Sequence, residues 1–213
     1  MTDRITCAVG AVLVALMSVA PRAVAQTADK WILTGEAGVA VPGKQLHQIT
    51  KVGFGGLLDV AYAVQPHLAV DAFGDYGNLE GRTVPGTAVL GPSIQTANFG
   101  VGLQAGALPN SAQRFSLIGR VGVGGSRLSS ATFIPFGDTA PISFRHTYPA
   151  AALGMEAGVR LAAGVRAYAG TNLFWTFVKK DDTSTLVSLD PGAIQPFAKA
   201  WSVPVTAGLS VRL

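Results

Sequence analysis

The stretch WSVPVTAGLSVRL, residues Trp201–Leu213, alternates apolar with polar or small residues along its whole length. In a β-strand, successive side chains point to opposite faces, so this pattern predicts a strand with one apolar face. The apolar positions are Trp201, Val203, Val205, Ala207, Leu209, Val211 and Leu213. Two environments suit such a strand: the core of a soluble protein, or the lipid around a membrane barrel.

The amino terminus has the layout of a secretory signal peptide. Arg4 precedes an apolar run, Ala8–Ala20, and the small residues Ala23 and Ala25 flank Val24 before Gln26. The run is shorter than the roughly 20 residues that a membrane-spanning helix needs. We therefore predict a cleaved signal peptide over residues 1–25 and one domain over residues 26–213. The single cysteine, Cys7, lies in the cleaved part, which excludes disulfides and thiolate metal sites from the mature chain.

The composition favours a membrane protein that spans with strands. Charged residues make up 13% of the chain, against roughly 25% in ordinary globular domains, while hydrophobic residues reach 49%. After the signal peptide no apolar run approaches the roughly 20 residues of a spanning helix. The net charge of +4 comes from scattered basic residues, so no basic patch indicates a nucleic-acid partner.

Period-two alternation recurs in eight segments of the mature chain. They are Trp31–Val41, Lys51–Tyr62, His67–Tyr76, Thr96–Ala107, Arg114–Gly124, Ala151–Leu161, Val165–Phe177 and Trp201–Leu213. Each has about 10–13 residues, longer than the usual 5–6 of globular proteins and close to a tilted bilayer span. Three short connections (Val64–His67, Leu108–Gln113, Ala162–Gly164) alternate with four longer ones (Pro42–Thr50, Gly77–Gln95, Ser126–Thr147, Val178–Phe197). This alternation is typical of outer-membrane barrels, whose inner turns are short.

Ionisable residues of these segments lie almost entirely on the face opposite the apolar one. They are Glu36, Lys51, Asp59, Asp71, Asp75, Arg114, Arg120, Glu156, Arg160, Arg166 and Arg212. Acidic and basic members nearly balance, so we predict a charge network that fills a narrow barrel lumen. Glu156, Arg160 and Arg166 form either part of this network or a solute-selective constriction. Glycines share this face, which suits a lumen with little room.

The apolar face places aromatic residues towards the ends of the segments, which predicts two aromatic girdles at the membrane interfaces. Trp31, Tyr62 and Phe115 lie beside short turns, and Phe54, Tyr76, Phe99, Trp175, Phe177 and Trp201 lie towards the long loops. The core of a soluble barrel gives no reason for this sorting. In lipid an open sheet would leave backbone groups unpaired, so we expect all eight strands to close into one barrel.

With these features the chain resembles the small eight-stranded outer-membrane β-barrels, the opacity-protein and OmpA-type group. The resemblance covers the mature chain and implies an all-β, up-and-down transmembrane barrel in the outer membrane of a Gram-negative bacterium. It implies a monomer that contacts outer-membrane lipid and lipopolysaccharide, without a cofactor. It also implies that the barrel-assembly machinery reads the C-terminal strand, although Leu213 stands where the family has an aromatic residue.

The resemblance implies a non-enzymatic protein for envelope integrity or surface interaction, and two alternatives remain beside it. One is a porin-like channel for small solutes or hydrophobic compounds. The other is a lipid A-modifying hydrolase using His146 with a carboxylate such as Glu156, but Tyr148 occupies the position of the required serine. His47 and His67 are isolated in sequence, so we predict no metal site.

Two local features complete the predictions. Pro204 lacks an N–H inside a strand of a closed barrel, so we expect a β-bulge there. Residues 179–182 (KKDD) form a mixed charge cluster in the last long loop. This cluster either contacts lipopolysaccharide phosphates or forms a solvated loop surface.

Overall fold

Eight strands form a closed antiparallel barrel in which each strand pairs with its neighbours in chain order and the last pairs with the first. This computed structural model describes residues 30–44, 46–83, 93–106, 114–130, 145–179 and 199–213, so the predicted signal peptide lies outside it. The strands are β1 (Trp31–Pro42), β2 (Gly53–Gln65), β3 (Leu68–Leu79), β4 (Ile94–Gly106), β5 (Phe115–Ser130), β6 (Arg145–Ala162), β7 (Val165–Thr176) and β8 (Ala200–Arg212). The predicted fold, an all-β up-and-down barrel of eight strands, is confirmed.

The barrel turns its apolar face outwards. Along β3, Asp71 and Asp75 are buried in the lumen, whereas Val70 and Tyr76 are exposed on the outer wall. The same holds around the barrel, where Val101 is 58% and Leu153 is 59% exposed. A wall of large exposed apolar side chains is unsuited to water and matches the hydrocarbon of a bilayer. The alternation in sequence therefore marks the lipid side and the lumen side of each strand.

Tight connections join the strands at the end that we define as inner. β2 runs on to Gln65, so the turn to β3 is tighter than the predicted Val64–His67. Between β6 and β7, Gly164 adopts a φ of 73°, a left-handed conformation that glycine takes without a steric cost. The strand register shifts beside both turns, between Ala63 and Gln65 and again between Arg160 and Ala162. The predicted turn over residues 108–113 lies outside the described part.

At the outer end the strands are longer than predicted. β5 extends to Ser130 and β6 begins at Arg145, so the ends of the predicted loop Ser126–Thr147 are strand instead. Their ladder continues through Arg127 paired with Thr147. Alternation of hydrophobicity stops where the wall leaves lipid, but backbone pairing does not depend on lipid. β3 also ends later than predicted, at Leu79, and β4 begins earlier, at Ile94.

The bulge expected at Pro204 is absent, and that prediction is wrong. β7 and β8 keep one register on both sides of the proline, with Thr171 opposite Val205 and Phe174 opposite Ser202. Two pairs of the ladder are missing between these points, while Pro204 still pairs with Ala40 of β1. The sheet thus accommodates the missing N–H by interrupting the ladder on one side, without inserting a residue.

The loop between β1 and β2 folds back onto the outer mouth of the barrel. It contains a short 3-10 helix, Leu46–Gln48, whose Leu46 is buried, as is the following Ile49. The backbone N–H of Gly43 donates to the Trp201 carbonyl at 2.8 Å, and the N–H of Arg82 donates to the Ile49 carbonyl at 2.9 Å. These bonds hold the loop against β8 and the end of β3. In the described part of the chain, no helix has the length and apolarity to cross a membrane.

Candidate functional site in the barrel lumen

An arginine and three carboxylates meet in the middle of the lumen. The guanidinium of Arg120 lies 2.8 Å from Asp59 Oδ2, 2.7 Å from Asp71 Oδ2 and 3.1 Å from Glu156 Oε1. Gln104 Nε2 donates to Asp59 at 2.6 Å and to Asp71 at 3.0 Å. We call these five residues the central cluster. It joins β2, β3, β4, β5 and β6, because each strand contributes one inward side chain at this level.

Small residues beside the central cluster make room for it. A Cβ on Gly170 would lie 2.6 Å from the Glu156 Cγ, and one on Gly122 would lie 2.8 Å from the Phe73 ring. A Cβ on Gly102 would collide with the Asp71 carboxylate. Real Cβ atoms do not approach other heavy atoms so closely, so these positions need glycine. The glycines of the inward face therefore create the space that the larger inward side chains fill.

Three neutral or charge-assisted hydrogen bonds link further strands across the lumen. Asn98 Nδ2 donates to Asp75 Oδ1 at 2.7 Å, joining β4 to β3. Thr206 Oγ1 donates to Glu36, joining β8 to β1 across the seam where the barrel closes. Ser116 and Tyr168 share a hydrogen bond of 3.3 Å between β5 and β7. Buried polar groups are thus paired between strands at several heights.

Apolar layers lie on both sides of the central cluster. Along β3 the inward residues Ala69, Asp71 and Phe73 follow one another, so the carboxylate stands between two apolar side chains. The inner layer consists of Ile32, Ala61, Ala69, Ile118 and Tyr168. The middle layer, on the outer side of the cluster, consists of Leu57, Phe73, Ala152 and Phe174. Phe73 and Phe174 meet at 5.9 Å between ring centres, which places aromatic rings from opposite strands across the lumen.

An outer layer covers the mouth of the barrel. It consists of Ala40, Leu46, Ile49, Leu79, Ile94, Leu128, Tyr148, Val178 and Ala200. Ile49 and Leu79 have no exposed surface, although Ile49 belongs to a loop. The side chain of Thr50 donates to the Leu46 carbonyl at 2.7 Å and so fixes the short helix over this layer. Charged and apolar levels therefore alternate from one end of the lumen to the other.

The predicted charge network is only partly brought together. Glu36, Asp59, Asp71, Asp75, Arg120, Glu156 and Arg166 are buried in the lumen. Lys51, Arg114 and Arg160 are exposed at the strand ends, and Arg212 is half-buried at the inner end of β8. Within the described residues the buried set holds five acidic and two basic side chains, instead of the near balance expected from the sequence. The lumen therefore carries an excess of carboxylates.

The partner expected for Glu156 is also different. The sequence placed Glu156 with Arg160 and Arg166, but the cation that it contacts is Arg120. Arg160 lies beside the register shift at the inner end of β6, where its side chain donates to the Ala162 carbonyl at 3.4 Å. Arg166 is buried on β7, opposite Arg160 and Ser210 on the neighbouring strands. A four-residue spacing on one strand separates side chains by two levels, so it does not make them partners.

His146 and Glu156, the pair considered for a hydrolase, are far apart. They stand ten residues apart on β6, and a strand rises about 3.3 Å per residue, which gives roughly 33 Å. His146 is exposed at the outer end, where its ring stacks on Tyr148 at 5.9 Å. Acid–base partners must approach to hydrogen-bond distance, so these two residues form no catalytic pair. Among the described residues no group of three or more His, Cys, Asp or Glu is arranged to hold a metal ion.

The residues of the predicted aromatic girdles all stand on the outer wall. Trp31, Phe54, Tyr76, Phe99, Phe115, Trp175 and Phe177 are exposed, and Tyr62 and Trp201 are half-buried. At the inner end Trp31 meets Tyr62 edge to face, with ring centres 5.1 Å apart. Cations stand over rings at both ends, Lys30 over Tyr62 at 5.7 Å and Lys199 over Trp175 at 5.4 Å. Aromatic rings with neighbouring cations suit the two membrane interfaces.

Neutral members of the lumen were missed as functional residues in the sequence. Gln104 and Asn98 lie on the polar face, but only the register of three strands, β2 to β4, shows that they reach Asp59, Asp71 and Asp75. The sequence did contain one signal. Both residues lie on the face opposite the apolar one, as the charged residues of the other strands do. Leu46 and Ile49 gave a second signal, since they are apolar residues in a connection expected to be external.

Comparisons with known proteins agree with this architecture. The sequence matches no family model, and no curated protein is similar to it at a significant level. Among solved structures, Neisserial surface protein A (NspA) is similar with a TM-score of 0.56 at 12% identity, covering 86% of this chain and 97% of that one. A major outer membrane protein from Thermus thermophilus is similar with a TM-score of 0.56 at 16% identity, covering 86% and 98%. The two proteins share the fold of this chain, and its outward apolar wall suits a bilayer. The chain therefore has the fold of the small eight-stranded outer-membrane β-barrels.

Proposed function

We propose that the protein is a non-enzymatic, non-conducting barrel that contributes to the integrity or the surface contacts of the outer membrane. The observation that carries this proposal is the filling of the lumen. Inner, middle and outer apolar layers alternate with the central cluster and the smaller hydrogen-bonded pairs. An eight-stranded barrel has an interior just wide enough for side chains to fill it. Ions and solutes would have to displace these layers to pass.

The middle layer is the part of the lumen that a conductance experiment tests most directly. Purified protein in planar bilayers is expected to show no stepwise current, with heat-modifiable gel migration as the check on folding. Replacing Leu57, Phe73 and Phe174 together by alanine removes three of the four side chains of this layer and is expected to admit a leak. Phe99→Ala, on the outer wall, is the matched control and is expected to stay silent. Stepwise currents in the unaltered protein would overturn the proposal in favour of a channel.

The separation of His146 from Glu156 supports the non-enzymatic part of the proposal. Since Glu156 belongs to the central cluster, we expect lipid A to keep its mass when the protein is overproduced. The control uses a host without lipid A-modifying enzymes of its own. A change in lipid A mass that the wild-type protein causes in this host, and the His146→Ala protein does not, would contradict this part.

The contribution to the envelope is tested in a deletion strain. We expect loss of the protein to increase sensitivity to detergent, because the membrane loses a rigid protein with a large lipid-facing wall. Complementation with the wild-type chain is expected to restore resistance. Unchanged sensitivity together with reduced binding of cells to a surface would instead favour a role in surface interaction.

The C-terminal strand fits the role of an assembly signal that the resemblance implies. β8 closes the barrel against β1, and the N–H of Leu213 donates to the Trp31 carbonyl at 2.9 Å. We propose that the barrel-assembly machinery recognises the outward apolar row of this strand. Replacing Leu213 by phenylalanine is then expected to maintain or increase the yield of folded barrel, and Leu213→Asp to lower it.

A further inference from the structure

An apolar groove crosses the outer wall over strands β6, β7 and β8. Its volume is about 630 Å³, within the range of sites that hold small ligands. The main lining residues are Leu153, Met155, Thr171, Leu173, Trp175 and Trp201. The groove opens towards lipid, since Leu153, Met155 and Trp175 are exposed on the outward face.

Small side chains leave room for this groove. In one row across the wall, Gly119 pairs with Met155 and Met155 pairs with Thr171, so small residues flank the methionine. A Cβ on Gly119 would meet its nearest neighbour only at 3.9 Å, which shows that space is open there. At its outer end the groove is bounded by Trp175 and Trp201, which pair directly across β7 and β8.

Basic side chains stand at the outer end of the groove. Lys199 precedes β8 and places its Nζ 5.4 Å from the centre of the Trp175 ring. Lys179 follows β7 and is exposed, and Arg127 of β5 stands at the same height. Within the described residues, Glu80 is the one exposed acidic side chain, and it follows β3 on the opposite side of the barrel. The described residues at the outer end of the groove are therefore basic.

We propose that this groove binds one acyl chain of an outer-leaflet lipid whose headgroup carries a net negative charge, with the headgroup phosphate at Lys179 and Lys199. An apolar channel ending in cations at the interface is complementary to an amphiphile with an anionic headgroup. The proposal rests on the location in the membrane and not on whether the lumen conducts. The protein thus binds one lipid at a defined position on its outer wall, over β6, β7 and β8.

The three tryptophans of the chain allow the site to be read separately from the rest of the wall. A Trp31→Phe protein keeps Trp175 and Trp201, both in the groove, as its fluorophores. Brominated acyl chains quench tryptophan on contact, so we would compare dibrominated phosphatidylglycerol with dibrominated phosphatidylcholine in bilayers. We expect phosphatidylglycerol to bind at least roughly fivefold more strongly, since one of the two lysines alone supplies about that factor. Equal quenching by the two lipids would overturn the proposal.

Charge and shape are then tested one at a time. The double variant Lys179→Gln and Lys199→Gln in the Trp31→Phe background is expected to bring the preference close to one. The same lysine changes in a protein with Trp31 as its single tryptophan should leave quenching at the inner end unchanged. A preference that survives the loss of both lysines would show that they do not hold the phosphate.

Filling the groove tests its shape. Gly119→Leu adds a side chain to its floor and is expected to reduce quenching by bromolipid at least twofold. Gly74→Leu is the matched control, because Gly74 lies on the opposite wall, exposed, with nothing within 4 Å of an added Cβ. Heat-modifiable migration confirms that both variants fold. Equal effects of the two substitutions on quenching would contradict the groove, while bilayer conductance would remain a separate test of the proposed function.

Discussion

The outer wall and the lumen are two faces of the same eight strands, yet they follow different rules. On the wall, any large apolar side chain satisfies its environment, as at Val101 and Val123, which are 58% and 65% exposed. In the lumen, each polar group needs a named counterpart, as Arg120 needs its three carboxylates. The stability that the wall provides thus depends on the class of each residue and its depth in the membrane. The stability that the lumen provides depends on individual pairs of side chains. Substitutions on the two faces should differ accordingly.

The largest effect is expected from Arg120→Met. It leaves the carboxylates of Asp59, Asp71 and Glu156 buried without their cation, and breaking a buried ion pair costs about 3–5 kcal/mol. Urea unfolding in lipid, followed by tryptophan fluorescence, measures the loss. Arg160→Met, at the exposed end of β6, is expected to change stability by less than about 1 kcal/mol. Similar losses for both arginines would mean that the ion pairs of the central cluster contribute no more to stability than an exposed arginine does.

The cost in stability of a charged side chain on the outer wall should depend only on its depth in the bilayer. Leu153 lies between the level of Val159, which pairs with Phe115, and that of Pro149, which accepts from the Phe177 N–H. Leu153→Arg is therefore close to the midplane, where such a charge costs about 2–4 kcal/mol.

The matched control for this wall substitution lies on the same strand. Leu161→Arg, near the inner end of β6, is expected to cost roughly 0–1 kcal/mol because water is within reach. Both are measured by the same urea titration. A larger cost at Leu161 would reverse the assigned membrane depth.

A single hydrogen bond in the lumen should have an intermediate effect. Asn98→Ala removes the donor that pairs with Asp75 and leaves a buried carboxylate, which costs about 1–3 kcal/mol. Gln95→Ala, an exposed position on the same strand, should change stability by less than about 0.5 kcal/mol. Equal midpoints for the two variants in urea would show that water replaces the missing amide.

The smallest effect is expected from an aromatic pair on the wall. Trp31 and Tyr62 meet edge to face, and such pairs contribute about 0.5–1.5 kcal/mol beyond their buried area. A double-mutant cycle with Trp31→Leu and Tyr62→Leu measures the coupling energy. The same cycle with Trp31 and Phe177, at opposite ends of the barrel, should give no coupling. A coupling energy near zero for Trp31 and Tyr62 would mean that aromatic residues of the outer wall, like its aliphatic ones, contribute without specific partners.

This contrast also explains how far the sequence could predict the structure. Period-two alternation separates lipid side from lumen side, so β3 could be assigned residue by residue. The pairing of Arg120 with Glu156 could not, because it depends on the register between β5 and β6, which alternation of hydrophobicity does not define. The ends of β5 and β6 were missed since hydrophobicity no longer alternates outside lipid. The inward position of Leu46 and Ile49 required the backbone contacts of their loop to be known.

The position of the central cluster in the strand order has a consequence for assembly. Asp59, Asp71, Gln104, Arg120 and Glu156 belong to β2 through β6, so none of these contacts requires the seam between β8 and β1. An open, curved sheet of five strands can already neutralise its buried arginine. The seam, with Thr206 bonded to Glu36, can then close last or open transiently without breaking those ion pairs. The distribution of charged residues among the strands thus permits the seam to close last.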